Sequence, residues 1–375
     1  MSWADWLAEQ RAAREAAGLQ RTLRPREPDE DLVDLAGNDY LGLSRHPEVR
    51  RAAADAALTW GAGAGASRLV TGTTALHAEL ERALAEFTGR DAALVLSTGY
   101  HANLAAVTAL ADRDALIVSD AHVHASLIDA ARLSRATVEV VPHNRVDAVR
   151  SALAGAGRRR AIVLTESVFS VLGDAAPLPQ LAEVCAEHGA LLVVDEAHGV
   201  GVVGDGGRGL VHAHGLAGHP QVVLTATLSK SLGAMGGAVL GSHAVLDHLV
   251  NRARPFVFDT ALAPAPTAGA LRALHLLRAE PALPSRIHRR GGELADHLGV
   301  PRSAGAVLSV PMPSPRAALA AQAAALEAGV RVGCFRPPSV PDGTSRLRIT
   351  TRAGLPEDRW AHALDVLTRL TRRMT

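Results

Sequence analysis

Leu191-Leu192-Val193-Val194-Asp195-Glu196-Ala197-His198-Gly199 is an apolar run that ends abruptly in a carboxylate, with an imidazole three residues further on. A second run, Val222–Ala226, leads into Thr227-Leu228-Ser229-Lys230-Ser231-Leu232-Gly233. Short, almost uninterrupted apolar runs read as strands buried on both faces, as in a parallel sheet covered by helices. Open sheets of that kind bind ligands at the carboxyl ends of their strands, so Asp195 and Lys230 are expected to face one crevice.

Lys230 is the one lysine among 39 basic residues; all the others are arginine. An amine can deprotonate near neutral pH once its pKa is lowered, and a guanidinium cannot. A chain that answers every other need for positive charge with arginine keeps this lysine among small and hydroxyl residues. That context favours a chemical role over a chance surface lysine.

Outward from this stretch the same alternation continues. Helices are predicted at Pro47–Trp60, Thr74–Thr88 and from about Tyr100 to Leu110. Strands are predicted at Ala92–Leu96, Ala115–Ser119, Thr137–Val141, Ala161–Thr165 and Val239–Gly241. Near residue 260 the composition shifts, with prolines at 264, 266, 281 and 284 around an Ala/Leu-rich helix. Beyond lie an apolar run at Ala306–Val310, a helix at Arg316–Ala328, a strand at Arg346–Thr350 and a last helix at Pro356–Arg372. The expected organisation is an N-terminal helix and arm over residues 1–45, a large α/β domain over 46–260 and a smaller α+β domain over 261–375.

The 375 residues can bury a sizeable core, and 48% hydrophobic with 21% charged residues is ordinary for a soluble enzyme. A net charge of +1 argues against nucleic acid or an anionic membrane as partner. Two cysteines, Cys185 and Cys334, lie outside any metal-ligand spacing and suit a reducing compartment. Met1 to Arg26 carries charges throughout, so it reads as an amphipathic helix with Trp3, Trp6 and Leu7 on one side rather than as a secretion signal. No run reaches the roughly 18 apolar residues of a membrane span. A cytoplasmic protein is expected.

Gly199-Val200-Gly201-Val202-Val203-Gly204 fits a dinucleotide-binding fingerprint but does not join a strand directly to a helix, so that reading is rejected. Asp195-x-x-His198 taken alone is a metal pair or a capped turn, and no further metal ligands present themselves. Ser97-Thr98-Gly99-Tyr100 leads from a strand into a helix, where free backbone N–H groups can hold a phosphate. His122 and His124 follow another strand, and Glu166 and Ser170 a further one. The convergence of polar groups at four strand ends outweighs each motif alone. A lysine for an aldehyde, a carboxylate for a ring nitrogen, and hydroxyls with a helix N-terminus for a phosphate together describe a pyridoxal 5'-phosphate (PLP) site.

At that point the sequence resembles the α-oxoamine synthases, fold-type-I PLP enzymes, over nearly its whole length. The resemblance is carried by Asn38-Asp39-Tyr40-Leu41-Gly42-Leu43, Ser67-Arg68-Leu69-Val70-Thr71-Gly72-Thr73 and Glu166-Ser167-Val168-Phe169-Ser170. It continues in the Asp195 and Lys230 stretches and in Arg336-Pro337-Pro338-Ser339-Val340-Pro341. It implies a fold-type-I transferase that works as a homodimer and joins an amino acid to an acyl thioester with loss of carbon dioxide. The Arg68 and Pro-Pro segments favour the members that use L-alanine and a pimeloyl thioester over those that use glycine. A PLP-binding protein without activity is the remaining alternative.

By resemblance, the catalytic residues are Lys230, which forms the Schiff base, Asp195 under the pyridine nitrogen, His198 at the phenolic oxygen and His124 stacked on the ring. Gly99, Tyr100, Glu166, Ser170, Thr227, Ser229 and Thr260 border the cofactor. Arg348 holds the amino-acid carboxylate, Asn38 and Ser339 line the substrate space, and Arg21, or Gln20 in its place, meets the acyl substrate. The family carries hydroxyl residues where this chain has Asp259-Thr260.

Overall fold

The computed structural model describes residues 1–28, 30–157 and 159–372. Its strands are β1 (Val33–Leu35), β2 (Ala92–Leu96), β3 (Ala115–Asp120), β4 (Thr137–Val141), β5 (Arg160–Glu166), β6 (Leu191–Asp195), β7 (Val222–Thr227), β8 (Gly237–Gly241), β9 (Val307–Pro311), β10 (Val330–Phe335) and β11 (Arg346–Thr350). The helices are α1 (Trp3–Ala16), α2 (Pro47–Trp60), α3 (Ala75–Thr88), α4 (Gly99–Leu110), α5 (Ala125–Ser134), α6 (Val146–Ala154), α7 (Leu178–His188), α8 (Leu210–Ala213), α9 (His243–Arg252), α10 (Arg254–Val257), α11 (Pro264–Ala279), α12 (Leu283–Leu298), α13 (Pro315–Glu327) and α14 (Glu357–Arg372).

Seven strands form one sheet in the order β2-β8-β7-β6-β5-β3-β4, in which β8 alone runs against its neighbours. Its inner strands are apolar on both faces because both faces are covered, while the edge strand β4 is largely exposed. Along β6, Leu192 and Val194 enter one buried cluster, while Val193 enters the other. Each such Val or Leu contributes roughly 1.5–3 kcal/mol when fully buried. The parallel strands therefore end on one edge, where Leu96, Asp120, Glu166, Asp195 and Thr227 stand in a row.

The second sheet, β1-β10-β11-β9, packs α13 and α14 around its own core, with Trp360, Leu347 and Val332 inside. Its edge strand β1 comes from the N-terminal segment and pairs in parallel with β10, Val33 opposite Val330. β10 and α12 escaped sequence reading. β10 is half-buried and holds Arg331 and Gly333, and α12 carries the charged run Arg286 to Arg290 over a narrow buried stripe.

α1 is shorter than the amphipathic stretch suggests, and none of its residues is buried. Trp3 and Trp6 meet edge to face, with ring centroids 5.7 Å apart, and both are exposed. No helix among the described residues is long and apolar enough to cross a membrane.

Candidate active site

The strand-end row encloses a cavity of about 270 Å³ lined by Gly99, Tyr100, His124, Glu166, Asp195, His198, Thr227, Ser229 and Lys230, with Thr98, Asn103, Ser126 and Ala197 between them. The turns after β2, β3, β6 and β7 each contribute. Burial of consecutive apolar residues fixes the strands, and the first residues past their ends have nowhere to point but into the crevice.

Asp195 is buried and held on both oxygens. Asn103 Nδ2 donates to Oδ2 at 2.7 Å, and the Ala197 N–H donates to Oδ1 at 2.9 Å. Asn103 is fixed in turn, donating to Ser126 Oγ at 2.8 Å and accepting from Thr225 Oγ1 at 2.5 Å. His124 Nδ1 accepts from the Ser126 N–H at 3.2 Å, which caps α5 and leaves the ring proton on Nε2 at the mouth of the cavity.

Lys230 reaches back from the turn after β7, its Nζ 2.8 Å from His198 Nε2. From there a chain of hydrogen bonds runs to the second sheet. His198 Nδ1 lies 2.7 Å from the Tyr40 hydroxyl, which donates to Asn38 Oδ1 at 3.0 Å, and Arg348 Nη1 donates to the same oxygen at 3.0 Å. Tyr40 has one proton and gives it to Asn38, so His198 Nδ1 must be the donor to Tyr40. His198 Nε2 is then an acceptor facing Lys230.

Arg348 is buried, with Nε on the Ser170 carbonyl at 2.7 Å and its guanidinium over the Phe335 ring. Desolvation lowers the Lys230 ammonium to about 8, with Arg348 adding to the effect and Asp195 opposing it. Burial likewise pushes His198 well below its ordinary range and raises the Glu166 carboxyl to about 8, with Asp195 reinforcing the latter.

Gly99 opens α4 where its backbone passes Thr227. A Cβ there would stand 2.9 Å from Thr227 Cβ, so only glycine lets the helix N-terminus approach the hydroxyls of Thr227 and Ser229, themselves 2.7 Å apart. That cradle fits a phosphate. Across the same cavity stand an amine for an aldehyde and a carboxylate for a ring nitrogen, so the residues present fit PLP.

Other expected residues lie elsewhere. Ser170, Asn38 and Arg348 form a second group, joined to the cavity through Tyr40 and His198. Arg21 donates to Ser339 at 3.1 Å where the N-terminal arm crosses the Arg336–Pro341 loop, and both are exposed. The Gln20 side chain instead accepts from Arg14, at 3.4 Å. Thr260 is exposed beside Ser67, while Asp259 accepts from His101 Nδ1 at 3.1 Å and from Ser97 Oγ.

Sequence reading did not single out Asn103, Ser126 or Tyr40 for a role. The signal for Asn103 was an amide one helical turn past Gly99 on the apolar side of α4. For Tyr40 it was one of the chain's two tyrosines, set within the Asn38–Leu43 motif.

Residues 30–367 match the model of the aminotransferase class I and II family, and the chain belongs to that family. Its fold is that of the fold-type-I PLP transferases. The chain is 57% identical to the 8-amino-7-oxononanoate synthase of Mycolicibacterium gilvum, over 97% of this chain and 96% of that one. It is 56% identical to the enzyme of that name from Mycolicibacterium smegmatis, over 97% and 95%. Among solved structures, Sphingomonas wittichii serine palmitoyltransferase superposes with a TM-score of 0.91 at 30% identity, covering 99% of this chain and 97% of that one. The Francisella tularensis 8-amino-7-oxononanoate synthase superposes with a TM-score of 0.78 at 25% identity, covering 92% and 99%.

Proposed function

We propose that this chain condenses L-alanine with a pimeloyl thioester, of coenzyme A or of a carrier protein, to give 8-amino-7-oxononanoate. The free thiol and carbon dioxide are released. The observation that carries the reading is the single lysine amine placed across one cavity from a doubly held aspartate, in a chain more than half identical to synthases of that name.

PLP, when bound, supplies an electron sink for the negative charge that develops at the amino acid's α-carbon. Lys230 would hold the cofactor through its amine, and the same amine, lowered to about 8, would be neutral often enough to take the α-proton of L-alanine. Asp195, kept in place by Asn103 and the Ala197 N–H, pairs with the ring nitrogen and keeps it protonated. Gly99, Thr227 and Ser229 would receive the phosphate, with Tyr100 at its border and Thr260 reaching it from the neighbouring subunit. His124 would stack on the ring, its Nε2–H left to polarise the reacting carbonyl. Arg348 retains N–H groups beyond those used by Ser170 and Asn38, and they bind the alanine carboxylate. The joined Arg21 and Ser339 meet the acyl substrate.

Thiol release by the PLP-loaded protein tests the reading. L-alanine with pimeloyl-CoA is expected to outpace glycine with acetyl- or succinyl-CoA, and faster turnover of a glycine pair would overturn the assignment. Exposed apolar side chains at Trp3, Leu69, Val70, Met235 and Phe258 support a homodimer, for which light scattering at twice the 39.0 kDa chain mass is the check. The free thiols of Cys185 and Cys334 support a cytoplasmic location.

A further inference from the structure

Glu166 ends β5 directly opposite Asp195 at the end of β6, in the parallel register that sends both side chains to the same face. Both are buried and both line the cavity. Asp195 has a donor on each oxygen, whereas Glu166 Oε2 accepts from the Ser170 N–H at 3.0 Å and Oε1 is buried with no partner. Two carboxylates so placed do not both ionise without a cation between them. Lys230 directs its amine to His198, and Arg348 directs its guanidinium to Ser170 and Asn38.

The proton inventory of the cavity adds a second argument. As the side chains stand, the single ring proton of His198 is on Nδ1, toward Tyr40, and Nε2 is turned to Lys230. Asn103 spends its amide on Asp195 and Ser126. An anionic oxygen entering the cavity gains a further donor when Glu166 Oε1, buried at the wall with no partner, carries a proton.

We propose that Glu166 is a neutral carboxylic acid in the working enzyme and donates a hydrogen bond, keeping its proton, to an anionic oxygen of the bound cofactor or substrate, so that Asp195 alone of the two carboxyls serves the ring nitrogen. The acceptor is a phenolate or carboxylate oxygen. The groups that face Glu166 are Asp195 from the end of β6, Lys230 past β7 and Tyr40 after β1, with the backbone of Ser170 and His124 beside it, and the His124 and His198 side chains line the same cavity. This inference rests on the reading of the cavity as a PLP site.

The experiment uses the full-length, PLP-loaded protein. Infrared difference spectra between wild type and Glu166→Gln at neutral pH are expected to contain the carbonyl stretch of a buried protonated carboxyl, which fades as the pH rises through about 8. A spectrum showing only ionised carboxylate overturns the proposal.

Glu166→Gln keeps a donor and is expected to hold PLP and L-alanine within about threefold of wild type. Glu166→Leu removes the donor and is expected to weaken one of them by about tenfold to a hundredfold. Loss with PLP alone identifies a phenolate acceptor, and loss only with L-alanine identifies the carboxylate. Wild-type affinity for both ligands in Glu166→Leu would also refute the donor role. Should Glu166→Leu not fold, the wild-type infrared band decides. A wild-type protein that neither binds PLP nor releases thiol defeats the parent reading, and that result is visible before any variant is made.

Discussion

Two clusters of acids and bases stand at neighbouring strand ends of the large sheet, and their charges settle in opposite directions. In the cavity, Lys230 and Glu166 are both desolvated and neither has an ion-pair partner in contact. The amine is lowered and the acid raised, each to about 8. A short way along the same edge, His143 lies between Asp120 and Asp174, with Nδ1 2.9 Å and Nε2 2.8 Å from a carboxylate oxygen. Desolvation opposes its charge, but the two hydrogen bonds prevail and lift the imidazolium to about 9. Burial sharpens the contrast, and pairing decides its sign. A group deprived of its partner stays ready to exchange a proton, while a group given two becomes a fixed pin. The pin joins the loop after β3, which carries His124, to the turns before α6 and α7. Asn144, with φ at 56°, bonds to both acids there.

The sharpest way to break this contrast is Lys230→Ala. If the unpartnered amine carries the proton, turnover measured by thiol release falls by at least about a thousandfold. Circular dichroism stays that of the wild type, because Lys230 anchors no packing. Retained turnover removes the chemical half of the comparison. Next comes Arg348→Lys. A lysine keeps the charge but cannot serve Ser170, Asn38 and a carboxylate together. The KM for L-alanine is expected to rise about tenfold to a hundredfold, with the absorption of the PLP-loaded protein unchanged. A rise in the KM for the thioester alone would place Arg348 elsewhere in the reaction.

The same distinction explains what is legible in the sequence. Strands β2 and β6 are legible to the residue because their apolar runs are continuous, and β4 and β11 because β-branched or apolar residues alternate with polar ones over a strand's length. The cavity is legible because Asp195 and Lys230 end such runs and strand ends share an edge. What escaped is whatever depends on a second element arriving. Asn103 beneath Asp195, Tyr40 between His198 and Asn38, and the pairing of β1 with β10 bring together residues far apart in the chain. No local pattern encodes them. His143 carried no signal either, since a histidine at the end of a strand reads alike whether one, two or no carboxylates come to meet it.

His143→Gln tests the structural half. Glutamine can keep one hydrogen bond but not the charge, and the pin is partly open to solvent. The expected loss of stability is therefore about 1–2 kcal/mol near neutral pH, read from denaturant midpoints, with little change in kcat. Its pH dependence has a fixed sign. The folded pKa of His143 lies above the unfolded value of about 6.5. The stabilisation is therefore complete below that value and is lost as the pH rises through about 9. Wild-type and variant stabilities should differ most at mildly acid to neutral pH and converge above pH 9. A difference that grows with pH would show that His143 is neutral in the folded protein.

The smallest effect is expected at a third acid–imidazole pair, Asp259 with His101, which separates pairing from burial. The two make one contact at 3.1 Å, as in the pin, but about a third of each side chain remains in solvent. Solvent should erase most of what pairing gives, so Asp259→Asn is expected to change stability by less than about 1 kcal/mol. Asp259 also accepts from Ser97, just before the N-terminus of α4 that cradles the phosphate. Removing its charge therefore favours a dianion there. PLP should bind about two- to fivefold more tightly to the variant at low ionic strength, and the gain should shrink as salt is added. Weaker binding would mean that Asp259 holds Ser97 and His101 in the geometry the helix end requires, and that pairing outweighs charge even at an exposed site.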